Sequence, residues 1–255
     1  MESIFFDGPL SDPSEKHMER EYIYWQSTWL ARKMEMLIFG YGGRPVLVFP
    51  TSMGRFYQYE DFGMVGALAS LLESGAIQLF CVDSVDEESW YNKQIEPGDR
   101  CYRHSQYENY ILHELLPFLR QRNPNCELLM LTGCSFGAYH SVNMAFRHPE
   151  LVRRVVAMGG KYEIRHLMGG YYDESVYFNS PIDFLPGLND NRYLQYLHNS
   201  MEIVLLTGEN DICRESTVEL SRILVNKQIP HILDIWGEGA GHDWPWWRQM
   251  ILKYI

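Results

Sequence analysis

The chain has 255 residues, 46% hydrophobic and 22% charged, a balance that fits one ordinary globular domain large enough to bury a full core. Its formal net charge of −11 repels phosphate backbones and anionic lipid, which argues against nucleic acid and membrane surfaces as partners. No apolar run approaches the length of a membrane span, and residues 1–20 are polar and acidic without the apolar stretch of a secretory signal.

In chain order, residues 21–27 and 32–39 read as two strands joined by a short turn, followed by the Gly40-Tyr41-Gly42-Gly43 cluster. Residues 46–49 form a short, fully apolar strand ended by Pro50. A helix is expected over 61–73, a buried strand over 77–82 and a helix over 109–120. The second half continues the rhythm: strand 128–131, helix 138–147 stopped by His148-Pro149, strand 155–158, strand 203–206, helix 216–225, strand 231–235 and a closing helix over 245–255. Apolar strands alternating with amphipathic helices predict a single α/β domain over 1–255. Its central sheet is mostly parallel, with an antiparallel N-terminal edge and helices on both faces. Residues 159–200 interrupt the pattern and admit two readings, a small cap or lid and a packed irregular connection.

The five cysteines, Cys81, Cys101, Cys126, Cys134 and Cys213, are scattered and lack CxxC spacing. They read as free thiols in a reducing compartment, the cytoplasm, rather than as a disulfide framework or a zinc site.

The chemistry concentrates around Gly133-Cys134-Ser135-Phe136-Gly137. A G-x-S-x-G pattern is a modest signal alone. Here it follows an apolar strand directly and opens a helix, the strand–turn–helix setting that lifts a serine hydroxyl out of the sheet's end. Ser135 is therefore the candidate nucleophile. A serine needs a base within hydrogen-bond reach. His242, in the glycine-rich stretch Gly237-Glu238-Gly239-Ala240-Gly241-His242 beyond the last strand, is preferred; His104 is the competitor. His113, His140, His148 and His198 fall on helices or their ends and read as surface or capping residues. The base must be oriented by a carboxylate. Thr207-Gly208-Glu209-Asn210-Asp211 ends a strand and offers Asp211, with Glu209 as the alternative. The order Ser135, Asp211, His242 is that of the α/β-hydrolase fold. An oxyanion hole would use the amide of Phe136 and one from the loop after strand 46–49, with Ser52 and Met53 as candidates. Trp90, Tyr91 and Trp244 are candidates for a substrate pocket. Arg55, Arg100 and Arg103 suit solvated surface better than an anionic subsite.

Val48-Phe49-Pro50-Thr51-Ser52, the serine motif, Thr207-Gly208-Glu209-Asn210-Asp211 and Gly241-His242-Asp243-Trp244 together resemble the "putative esterase" group of α/β-hydrolases. That group includes esterase D (S-formylglutathione hydrolase), enterochelin esterases and mycolyltransferases. The resemblance implies a serine carboxylic ester hydrolase that uses Ser135, Asp211 and His242, acts on a small-molecule ester and needs no metal or organic cofactor. An acyltransferase with the same triad, a non-catalytic binding module of the same fold and a homo-oligomer remain open. The oxyanion loop departs from the group's usual His-Gly type.

Overall fold

The computed structural model describes residues 18–255, so the expectation for residues 1–20 falls almost entirely outside the described residues. Among the described residues, eight strands form one sheet: β1 (Arg20–Ser27), β2 (Arg32–Phe39), β3 (Arg44–Phe49), β4 (Ile77–Val82), β5 (Leu129–Cys134), β6 (Val152–Met158), β7 (Glu202–Asn210) and β8 (Ile232–Gly241). Their spatial order is β1-β2-β4-β3-β5-β6-β7-β8. β1 and β2 are antiparallel and β2 joins β4 antiparallel; every later pairing is parallel. The antiparallel edge and the parallel body are those expected from the sequence.

Strand alternation explains why the sheet is covered on both sides. Met36, Ile38, Leu47, Phe49, Phe80, Leu131, Val155 and Leu205 pack with Tyr107, Ile111, Val142 and Leu220 on one face. Their neighbours Leu37, Val46, Val48, Leu79, Met130, Val156 and Leu206 pack with Met64, Leu72, Trp247 and Ile251 on the other. Successive side chains on a strand point to opposite faces, so fully apolar strands require two covering layers.

Two helical readings change, and the segment 159–200 proves partly helical. The single helix expected over 61–73 is three short pieces, Gln58–Asp61, Met64–Ala67 and Ala69–Glu73. Gly63, at φ 73°, breaks it after the first turn. The helix expected over 109–120 begins twelve residues earlier: Pro97–Tyr110 runs through a π-turn, Ile111–Leu115, into Leu116–Arg122. Its first part carries Arg100, Cys101, His104 and Tyr107 inward, a face too polar to show as apolar periodicity. Residues 159–200 hold a 3₁₀ turn, Arg165–Leu167, and three short α-helices, Glu174–Phe178, Pro181–Gly187 and Asn191–Asn199. Ile182, Phe184, Leu185 and Leu197 join the main core. Ile164, Met168 and Val176 form a separate cluster with Trp90, Cys101, Phe136 and Tyr139. These buried side chains tie the segment to the body of the domain.

Candidate active site

Ser135 stands between β5 and the helix Phe136–Arg147 with φ 55° and ψ −118°. A non-glycine residue in such a conformation costs roughly 1–3 kcal/mol and persists only when its surroundings enforce it. The enforcement is visible. The Ser135 amide donates to the Met158 carbonyl at 2.8 Å, tying the turn to β6. A Cβ on Gly133 would lie 2.4 Å from the Gly137 carbonyl carbon, and one on Gly137 would lie 2.3 Å from the Phe49 carbonyl oxygen. The two glycines of the motif are thus fixed by backbone crowding.

The register of β7 and β8 brings the other two residues together. Asn210 pairs with Gly241, so Asp211 and His242 are the next residues on two adjacent strand ends. His242 Nδ1 lies 2.8 Å from Asp211 Oδ1, and His242 Nε2 lies 2.8 Å from Ser135 Oγ. An ionised carboxylate only accepts, so Nδ1 carries the imidazole proton and Nε2 is left to accept from the serine hydroxyl. Asp211 has no exposed side-chain surface and His242 keeps 17%. The Cys213 amide also donates to Asp211 Oδ1, at 2.7 Å. Asp211 Oδ2 is buried without a hydrogen-bond partner, facing Gly159, where a Cβ would meet it at 2.6 Å. The ring of His242 meets Trp247 edge-on, with centroids 4.9 Å apart.

The competing residues are elsewhere. Glu209 is exposed and accepts the Gly239 amide at 2.6 Å, bracing β8 rather than the imidazole. His104 is buried and packed against Trp90 with the rings tilted, centroids 4.6 Å apart. Burial, reinforced by neighbouring His140, holds its imidazole well below the usual range.

The loop after β3 is the third part of the site. Thr51 and Gln58 exchange two hydrogen bonds, at 2.8 and 2.7 Å. Tyr91 donates its hydroxyl to Ser52 Oγ at 2.9 Å. Ser84 Oγ donates to the Gly54 carbonyl at 3.0 Å. Arg55 pairs with Asp83 and Glu35, both at 2.7 Å. Burial pushes the Asp83 carboxyl up despite the guanidinium beside it. Met53, at φ 54°, donates its amide to Asp86 Oδ2 at 3.2 Å. The other oxygen of Asp86 lies 2.9 Å from His140 Nε2. Among the expected oxyanion donors, Met53 is therefore already engaged. The Phe136 amide opens its helix, where an N–H has no intrahelical acceptor.

Sequence reasoning missed Asp86 and misjudged His140. His140 is 3% exposed, neither surface nor cap. The reason lies in the fold: every residue from Phe136 to Phe146 is buried. A helix hemmed in on all sides forces its histidine inward, and a buried imidazole needs a partner.

Of the pocket candidates, Trp90 is excluded because its side chain is wholly buried at the centre of the Ile164–Met168–Val176 cluster. Tyr91 is half-buried, bonded to Ser52 and edge-on to Phe136 with centroids 5.2 Å apart. Trp244 stacks flat on Phe62, with centroids 4.6 Å apart, and meets Trp247 at its edge. The arginines are all engaged: Arg55 as above, Arg100 on the carbonyls of Ile95 and Leu167, and Arg103 on Glu88. As possible metal ligands, Asp211, Cys213 and His242 bring a carboxylate, a thiol and an imidazole within 4.8 Å of one another. Burial and the charge of Asp211 push the Cys213 thiol up to about 12. It is therefore protonated at neutral pH and a poor ligand there.

The strand order and the hydrogen-bonded serine, histidine and aspartate at the strand ends define a serine hydrolase of the α/β-hydrolase class. The chain belongs to the "Putative esterase" family, whose model matches residues 57–254. That match begins just after the β3 loop. Among solved structures, a ferulic acid esterase is 16% identical, with 92% of this chain and 95% of that one covered at a TM-score of 0.75. S-formylglutathione hydrolase from Staphylococcus aureus is 16% identical over 94% and 96% of the two chains, TM-score 0.73. S-formylglutathione hydrolase from Agrobacterium tumefaciens is 13% identical over 96% and 97%, TM-score 0.71. At these identities the likeness is one of fold. A search of curated protein sequences gave no match. By family the protein is a serine esterase, a carboxylic ester hydrolase.

Proposed function

We propose that Ser135 is the nucleophile, His242 the general base and Asp211 the residue that orients it. Ser135 Oγ attacks the ester carbonyl as its proton passes to His242 Nε2. Asp211 stabilises the imidazolium that forms, through the bond to Nδ1. The alkoxide of the tetrahedral intermediate is received by the amides of Phe136 and Ser52. Ser52 is favoured over Met53 because the Met53 amide already points at Asp86. His242 then donates its proton to the leaving alcohol, an acyl group remains on Ser135, and the same histidine activates water to release the acid. The observation that carries this reading is the unbroken line Ser135–His242–Asp211, two contacts of 2.8 Å ending on a serine in a left-handed turn.

The substrate is a small-molecule ester, with Tyr91 and Trp244 beside its binding site. The acidic surface supports neither nucleic acid nor membrane as a partner. The free thiols support work in the reducing cytoplasm. Among the described residues, no helix is long and apolar enough to cross a membrane. The test is incubation with a fluorophosphonate probe and a short-chain aryl ester, with and without an acceptor alcohol. Labelling of Ser135 with ester hydrolysis supports the reading. A folded protein that does neither refutes it, and a product carried mainly by the alcohol would make the protein an acyltransferase.

A further inference from the structure

The two proposed oxyanion donors belong to different parts of the chain. Phe136 opens the helix Phe136–Arg147 and Ser52 lies in the loop after β3. An oxyanion hole stabilises charge only if its donors are held in place before the charge appears. Asp86 bridges the two parts. Its Oδ2 accepts the Met53 amide at 3.2 Å, one residue beyond Ser52. Its Oδ1 lies 2.9 Å from Nε2 of His140, on the helix that Phe136 begins. Asp86 is 1% exposed and His140 3%. His140 is fixed in turn by ring contacts to Phe49 at the end of β3 and to Phe136 itself, with centroids 5.8 and 4.9 Å apart.

A buried carboxylate is costly unless both oxygens are satisfied. Asp86 satisfies one oxygen on the loop and the other on the helix, so moving either breaks a buried contact. The Met53 conformation gives a second, independent sign. A methionine at φ 54° is strained, and its amide is the group Asp86 receives.

We infer that the buried Asp86–His140 pair positions the oxyanion loop, fixing the Ser52 amide against that of Phe136. Neither residue reaches the reacting atoms; both act through the backbone of residues 52 and 53. The inference rests on the hydrolase reading above, since without an oxyanion there is nothing to position. A tie of this kind acts on the transition state and hardly on the ground-state ester, so its loss lowers kcat and leaves KM nearly unchanged.

The experiment compares wild-type protein with Asp86→Ala, Asp86→Asn and His140→Phe at a temperature well below each melting point. Three quantities are read: kcat, KM for an aryl acetate, and the affinity of an aryl trifluoromethyl ketone, which adds Ser135 and presents a tetrahedral oxyanion. Asp86→Ala is expected to lower kcat about 30- to 100-fold, with KM within about twofold, and to weaken the ketone by the factor lost in kcat/KM. His140→Phe keeps a ring in the aromatic nest but frees the carboxylate, and should lower kcat about tenfold with the same signature. Asp86→Asn offers an oxygen to Met53 and an amide to His140, and should recover kcat to within about fivefold of wild type. A merely structural role would lower the melting temperature and leave kcat and ketone affinity unmoved below it. That result in Asp86→Ala overturns the inference. If Asp86→Ala does not fold, His140→Phe decides by the same criterion. Wild-type protein that neither hydrolyses the ester nor binds the ketone removes the hydrolase reading itself. An active wild type with unaltered variants removes only the role given to Asp86 and His140.

Discussion

The two sides of Ser135 are built differently. On the β3 side, a loop of six residues is held by side chains from several directions: Gln58, Tyr91, Ser84, Asp83, Glu35 and Asp86 each grip it. On the β7–β8 side, Asp211 and His242 are held mainly by strand register and by each other, and Asp211 Oδ2 has no partner. The difference follows the work proposed for each side. Dipoles that meet a developing charge must not relax when it appears. An imidazole that takes a proton from one atom and delivers it to another needs some freedom about a fixed axis.

The largest expected effect tests whether both sides serve one nucleophile. Ser135→Ala should lower kcat on the order of 10⁵-fold with the melting temperature nearly unchanged, and adding His242→Ala should cost little more, because the residues act as a unit. Independent, multiplying losses in the double variant would break the picture of one relay. Next, Asp211→Asn should cost about 10⁴-fold in kcat, by favouring the wrong imidazole tautomer, while Glu209→Gln stays within about twofold. An inactive Glu209→Gln beside an active Asp211→Asn would transfer the acid's role to the neighbouring carboxylate.

A smaller effect probes the space behind the acid. Gly159→Ala puts a methyl 2.6 Å from Asp211 Oδ2, at a backbone φ of 60° that disfavours any side chain. A displacement of about an ångström should lower kcat roughly 10- to 100-fold. Unaltered kinetics would mean that the sparsely tied side is freer than its geometry suggests. The smallest effect concerns Cys213. Its thiol is raised to about 12 by burial and by the charge of Asp211. Iodoacetamide at neutral pH should therefore modify it far more slowly than free glutathione. Fast modification with loss of activity would show a site more open on this side than it is drawn.

How far the site could be read from the chain follows the same division. Ser135 was legible because its requirements are local: an apolar strand, two glycines crowded against backbone, and a helix directly after. Asp211 and His242 were legible as strand-end residues in the right order, although Glu209 and His104 could be set aside only when the β7–β8 register and the burial of His104 were known. Asp86 and His140 were illegible as a pair because they are 54 residues apart and neither sits in a motif. Trp90 misled for a related reason. Its position after β4 suggested a pocket wall, but the helix Pro97–Tyr110 and residues 164–176 close over it.

The sequence by itself determined the sheet, its antiparallel edge and the serine turn, because hydrophobic period and glycine crowding act over a few residues. Tertiary structure decided which carboxylate meets which imidazole, that the Met53 amide is taken by Asp86, and that Trp90 is enclosed. Those choices depend on contacts between strand ends that no local pattern encodes, and on burial, which makes a polar side chain find a partner wherever the fold supplies one.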